Sequence, residues 1–134
     1  MFSDDRNLKL VGVCVLFISL SIAFGAIGSH LLENKITEKG LSVFNKSNYY
    51  LGFQSLALIV VSSYKNYAKV YIKPVLLKIT FFGMIVFCIS LYAVTLSYFP
   101  NLIAFKKTGI IAPFGGIAMI TGWILIGFQF IRSK

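Results

Sequence analysis

The side chains in this sequence that could do acid–base or metal chemistry are few. They are one histidine, His30, and four acids, Asp4, Asp5, Glu33 and Glu38. A lone histidine cannot make a metal site without further ligands. Glu33 stands three residues from His30, and two candidate ligands on one turn remain a weak metal signal. Histidine titrates near neutral pH, so proton sensing is one reading of His30. The other is a helix-end histidine bonded to backbone carbonyls or interfacial water. The second is favoured, because a titrating group must also couple to something that moves. Cys14 and Cys88 are far apart and form no C-x-x-C pair, so they read as small apolar packing groups rather than redox groups. No nucleophile–base pair or phosphate loop is present, and no cofactor, metal site or enzyme activity is expected.

The elements that carry these residues are set by hydropathy. Apolar residues make up 57% of the 134 residues and charged residues 13%. Ordinary globular domains have roughly 45–50% and 25%. Asp, Glu, Lys and Arg are absent from 10–32, 47–64, 79–105 and 108–131. Each run approaches or exceeds the ~20 residues that cross a bilayer core as a helix. They are apolar all round, so helices are expected rather than barrel strands. The reading is a single all-α domain, a four-helix transmembrane bundle with short loops. Its spans lie at about 8–30, 47–64, 75–99 and 109–131. The first run is longer than the ~7–15 apolar residues of a signal peptide, so it is read as a retained span.

The net charge of +9 follows the connections. Arg6, Lys9, Lys65, Lys69, Lys73, Lys78, Arg132 and Lys134 fall on one side, against Lys35, Lys39, Lys46, Lys106 and Lys107 on the other. Eight against five predicts both termini on the cytoplasmic side. It also assigns the charge to orientation, so no nucleic-acid partner is expected. The expected surroundings are membrane lipids, other membrane subunits or further copies of the chain, in a bacterial cytoplasmic (inner) membrane.

Small residues mark the faces where helices meet. Ser21, Gly25 and Ser29 recur every four residues on the first helix, and Ala118 and Gly122 form a similar pair on the fourth. The segment 33–46 is amphipathic, with Thr37 able to cap a helix from Glu38. It is either a separate interfacial helix or the first turns of the second span, and the absence of a breaker after Gly40 favours the latter. Pro113, with Gly115 and Gly116 just beyond, either starts the fourth helix or kinks it. Trp123 sits well inside its run, which points to protein-facing packing.

Membrane-depth acids are absent, which argues against coupled transport. Gln54 lies mid-span and needs a partner, since an unsatisfied amide in hydrocarbon is costly. Ser90 and Tyr92 occupy different faces of the third helix. Interhelical hydrogen bonding is the favoured role for all three. The alternative is a cavity near His30, Gln54 and Tyr92 that serves a small uncoupled transporter, channel or lipid-binding protein. The favoured function is a non-enzymatic accessory subunit or self-associating helix-packing protein.

These motifs have a family order. The stretch Gly25-Ala26-Ile27-Gly28-Ser29-His30-Leu31-Leu32 resembles a G-A-F-G-A-H-x-L motif. Leu41-Ser42-Val43-Phe44, then Tyr50 and Leu56-Ala57-Leu58, is similar to the lead into a second span. Phe87-Cys88-Ile89-Ser90-Leu91-Tyr92 resembles F-S-G-S-L-Y. Ile111-Ala112-Pro113-Phe114-Gly115-Gly116 with Gly122-Trp123 resembles I-T-P-L-G-G…G-W. Together they resemble the YgdD family of small membrane proteins, also called transmembrane protein 256-like or domain of unknown function 423. The resemblance implies a four-span inner-membrane protein with no established activity. The family often has Arg-Tyr where Tyr49-Tyr50 stands, and His where Gln54 stands. Of any ionisable site built from those groups, only His30 is left here.

Overall fold

The computed structural model describes residues 5–133. Lys134 lies outside the described residues, as does the side chain of Arg6. Four long helices make the fold: α1, Asp5–Ile27; α2, Glu38–Tyr67; α3, Pro74–Leu96; and α4, Ala112–Arg132. A π-helical turn, Gly28–Leu32, closes α1, and a 3-10 segment, Ile103–Ile110, leads into α4. No strand occurs among the described residues. Neighbours in space are neighbours in sequence: α1 lies on α2, α2 on α3 and α3 on α4.

The segments Leu8–Leu32, Pro74–Leu96 and Ile103–Arg132 are each long and apolar enough to cross a bilayer. The remaining helix, α2, is 30 residues long, or roughly 45 Å at the helical rise. Its lower hydropathy has a structural reason. It is flanked by α1 and α3, and its polar residues Ser47, Gln54, Ser55 and Ser62 are buried in protein rather than turned to lipid. Thr37 caps α2, accepting from the Gly40 amide at 3.2 Å. Residues 38–46 are therefore the first turns of this one helix and not a separate element.

At its far end α2 stops in a Schellman-type turn. Lys69 takes the left-handed conformation, φ 53°, and the Val70 amide reaches back to the Lys65 carbonyl at 2.9 Å. Glycine is the usual residue there, because a Cβ crowds that conformation. Ile72 then tucks into the core with Cys14, Leu58, Leu76, Leu77 and Ile126. The Lys73 amide donates to Gln129 Oε1 at 3.0 Å and ties the start of α3 to the last turns of α4.

Pro113 falls in the first turn of α4, where its missing N–H costs nothing. Upstream, its ring would collide with the Gly109 carbonyl in a continuous α-helix. The preceding segment is accordingly wound as the tighter 3-10 form, with the Ile111 amide on Thr108 O at 3.0 Å. Proline therefore marks a change of winding and the start of the α-helix.

The closest contact in the bundle is α3 against α4. Gly83 and Thr80 on α3 face Gly115, Ala118 and Gly122 on α4. A Cβ on Gly115 would lie 2.5 Å from the Phe87 amide nitrogen and 2.7 Å from the Gly83 oxygen. A Cβ on Gly122 would collide with the Thr80 side chain. In lipid the usual hydrophobic drive between helices is lost, and close backbone approach of this kind supplies the attraction.

Candidate functional site

The residues that sequence reasoning grouped are distributed over several sites. Gln54 and Trp123 meet across the core: the indole Nε1–H donates to Gln54 Oε1 at 2.6 Å. This joins α2 to α4 and gives the mid-span amide its partner. Ser90 bonds back to the Phe87 carbonyl at 2.9 Å, and its own carbonyl accepts from Thr108 Oγ1 at 3.3 Å. Gly116 lies 3.7 Å, measured from a built Cβ, from the Phe87 ring. Pro113 is exposed at the head of α4. His30 is exposed on the π turn, and neither it nor Gln54 lines the groove that Tyr92 lines.

Ser21 and Gly25 face α2. Ser21 Oγ donates to the Asn48 carbonyl at 3.1 Å, and the side-chain amide of Asn48 stands over Gly25. Ser29 does not follow them. It is exposed and bonds back to the carbonyls of Gly25 and Ala26. The π turn breaks the four-residue period at Gly28, so the next residues leave the α2 face. Gly28 itself is buried against Phe44 and Asn45.

Asn48 is the polar residue that sequence reasoning passed over. Tyr92 Oη donates to Asn48 Oδ1 at 3.3 Å and links α3 to α2. One residue away, Ser47 Oγ donates to the Cys88 carbonyl at 2.9 Å, and the Cys88 thiol returns a bond to the Ser47 carbonyl at 3.5 Å. A Ser-Asn pair opening an apolar run was the available signal, because two adjacent polar side chains at that depth both need partners. The polar atoms here are turned toward one another.

Beside this cluster lies a groove. Phe24, Phe44 and Tyr92 form its base, with ring centroids 5.1 Å apart for Phe24 and Tyr92 and 5.5 Å for Phe44 and Tyr92. Ile27 of α1 and Leu32 of the π turn wall one side, and Ile89, Ala93, Leu96 and Phe99 the other. Its volume is about 530 Å³, within the roughly 300–1,000 Å³ of small-molecule sites. The π turn shapes this wall. In an α-helix, residues five apart point in different directions, whereas a turn closed by i→i+5 bonds returns Leu32 to the side of Ile27.

What this arrangement can do chemically is bind apolar groups. Among the described residues, no three His, Cys, Asp or Glu side chains converge as metal ligands. Both thiols, Cys14 and Cys88, are free and buried. They should resist a maleimide in the folded protein and react fully once it is denatured. Mass spectrometry before and after denaturation checks this, and rapid native labelling of either would contradict the packing described.

Comparison with known proteins agrees with this picture of a membrane bundle. A family model described as "Protein of unknown function (DUF423)" matches residues 24–116. A UPF0382 membrane protein of Staphylococcus saprophyticus is 31% identical over 107 residues, covering 80% of this chain and 83% of the relative. A UPF0382 membrane protein of Staphylococcus aureus is 32% identical over 107 residues, covering 80% and 82%. No solved structure matches the chain.

Proposed function

The chain belongs to the DUF423 family of proteins of unknown function, and from that premise we propose that this multi-pass membrane protein is a non-enzymatic helix-packing protein that self-associates through α1. One observation carries the reading: α1 is the least covered of the apolar helices, with 6% of its most apolar window buried against 33% and 28% for the other two. The outward side of α1 is patterned. Val13, Leu16, Leu20, Ala23 and Ile27 are all exposed, at alternating spacings of three and four, the period of a coiled-coil seam. Gly12, Ser19 and Ala26 add small, exposed residues beside it, and nothing stands within 4 Å of a Cβ built on Gly12. The small residues on the other side of α1, Ser21 and Gly25, are already used against α2. Two copies in one membrane share an orientation, so a two-fold axis along the membrane normal would pair α1 with α1 in parallel.

The remaining parts of the proposal are a bacterial cytoplasmic membrane and cytoplasmic termini. The excess of basic residues at the end carrying the termini supports that orientation. Membrane-depth polar side chains spent on one another support a packing role over a polar pathway.

Ala23→Cys tests the proposal, because both native thiols are shielded. Mild oxidation in native membranes should give a disulfide-linked dimer, whereas Phe128→Cys on the exposed side of α4 should not. Ala23→Leu in a cysteine-free background should weaken the dimer about fivefold, the scale of ~1 kcal/mol for helix contacts in membranes. A monomer at every dose, or a cross-link only to a different protein, would rule out self-association.

A further inference from the structure

We propose that the groove between α1 and α3 holds one acyl chain of an anionic phospholipid, whose phosphate rests against Lys35 and Lys39. The groove lies at the end of the bundle opposite the termini and is walled by aliphatic and aromatic side chains, with a volume of about 530 Å³. Its two hydroxyls are engaged: that of Tyr92 donates to Asn48 Oδ1 and that of Thr95 to the Leu91 carbonyl. A polar ligand would find both hydroxyl protons already donated, and a hydrocarbon chain needs none.

Charge selects the headgroup. This end of the chain carries Lys35, Lys39, Lys46, Lys106 and Lys107 against Glu33 and Glu38, an excess of three positive charges. Two of these lysines, with Glu33 and Glu38 among them, are near the groove wall in sequence. The Lys35 amide bonds the carbonyl of Leu32, a wall residue, at 2.9 Å. Lys39 precedes Gly40, which packs against the Tyr98 ring beside the wall residue Phe99. Both side chains are exposed, and a lysine can lay its stem on apolar surface while its ammonium meets a phosphate.

Native mass spectrometry of the purified protein in mild detergent, with dioleoyl phosphatidylglycerol or dioleoyl phosphatidylcholine added, is the test. The wild type should retain one phosphatidylglycerol in preference to phosphatidylcholine. Ala93→Trp, which fills the groove, should abolish that adduct while helical circular dichroism is kept. Leu96→Trp at the half-open rim serves if Ala93→Trp does not fold. Lys35→Gln and Lys39→Gln should each lower the preference for phosphatidylglycerol by about fivefold, the effect of one basic residue near an anionic surface. Equal retention of the two lipids by the wild type, or an adduct that survives a folded groove-filling variant, overturns the proposal.

Discussion

Gly115→Ala should destabilise the protein by about 3 kcal/mol, the upper part of the range for overpacking a filled interior. The clash is with backbone, not with a side chain that could swing aside. The new Cβ would sit 2.5 Å from the Phe87 amide nitrogen and 2.7 Å from the Gly83 oxygen. Relief requires moving α4 off α3, which sacrifices the neighbouring contacts at Gly83 and Gly122. Gly127→Ala is the control, since nothing lies within 4 Å of a Cβ there. Alanine is also the better helix former by ~1 kcal/mol, so this variant should be neutral or slightly stabilised. Unfolding of the two variants in dodecyl sulfate titrations, followed by helical signal, measures the difference. Equal midpoints for Gly115→Ala and wild type would contradict the close approach.

Gln54→Leu should cost about 1–3 kcal/mol, because it leaves the half-buried Trp123 N–H without its acceptor. The bond is short, 2.6 Å, and Gln54 is 7% exposed. Trp123→Phe should cost a comparable amount, since it leaves the Gln54 amide unsatisfied. The double variant should be less damaging than the sum of the two, with a coupling of roughly 0.6–1.7 kcal/mol, the range for hydrogen bonds between membrane helices. Trp123 is the only tryptophan, so its emission reports the same bond directly. Gln54→Leu should shift the emission, while Ser90→Ala, ten residues along α3 from the Thr80 that faces Gly122, should leave it unchanged. Additive effects with unaltered emission would show that the two side chains do not interact.

Both predictions concern groups whose need was legible before their partner was. Gln54 declares itself as an amide in an apolar run, and hydrocarbon makes a partner necessary. Nothing local says that the partner is Trp123, 69 residues away. Gly122 was legible as a small residue, but its opposite number, Thr80, was not. Gly83 gave no sign of its role, being a single glycine in an otherwise bulky helix.

The four charge-free runs follow from the sequence by itself, because the cost of an unpaired backbone or charge in lipid acts residue by residue and needs no knowledge of neighbours. The change of winding at Pro113 and the cap at Thr37 are equally local, being steric and hydrogen-bonding properties of a few consecutive residues. The tertiary structure decided which faces meet. It set α2 between α1 and α3, joined Asn48 to Tyr92, and turned Ser29 out of the line begun by Ser21 and Gly25. It also used the π turn to bring Ile27 and Leu32 onto one wall of a groove. These features depend on how closely two backbones approach, and that distance is set by pairs such as Gly28 with Phe44 and Gly115 with Phe87. Hydropathy cannot report them, since in a lipid solvent the inward and outward faces of a helix are nearly equally apolar.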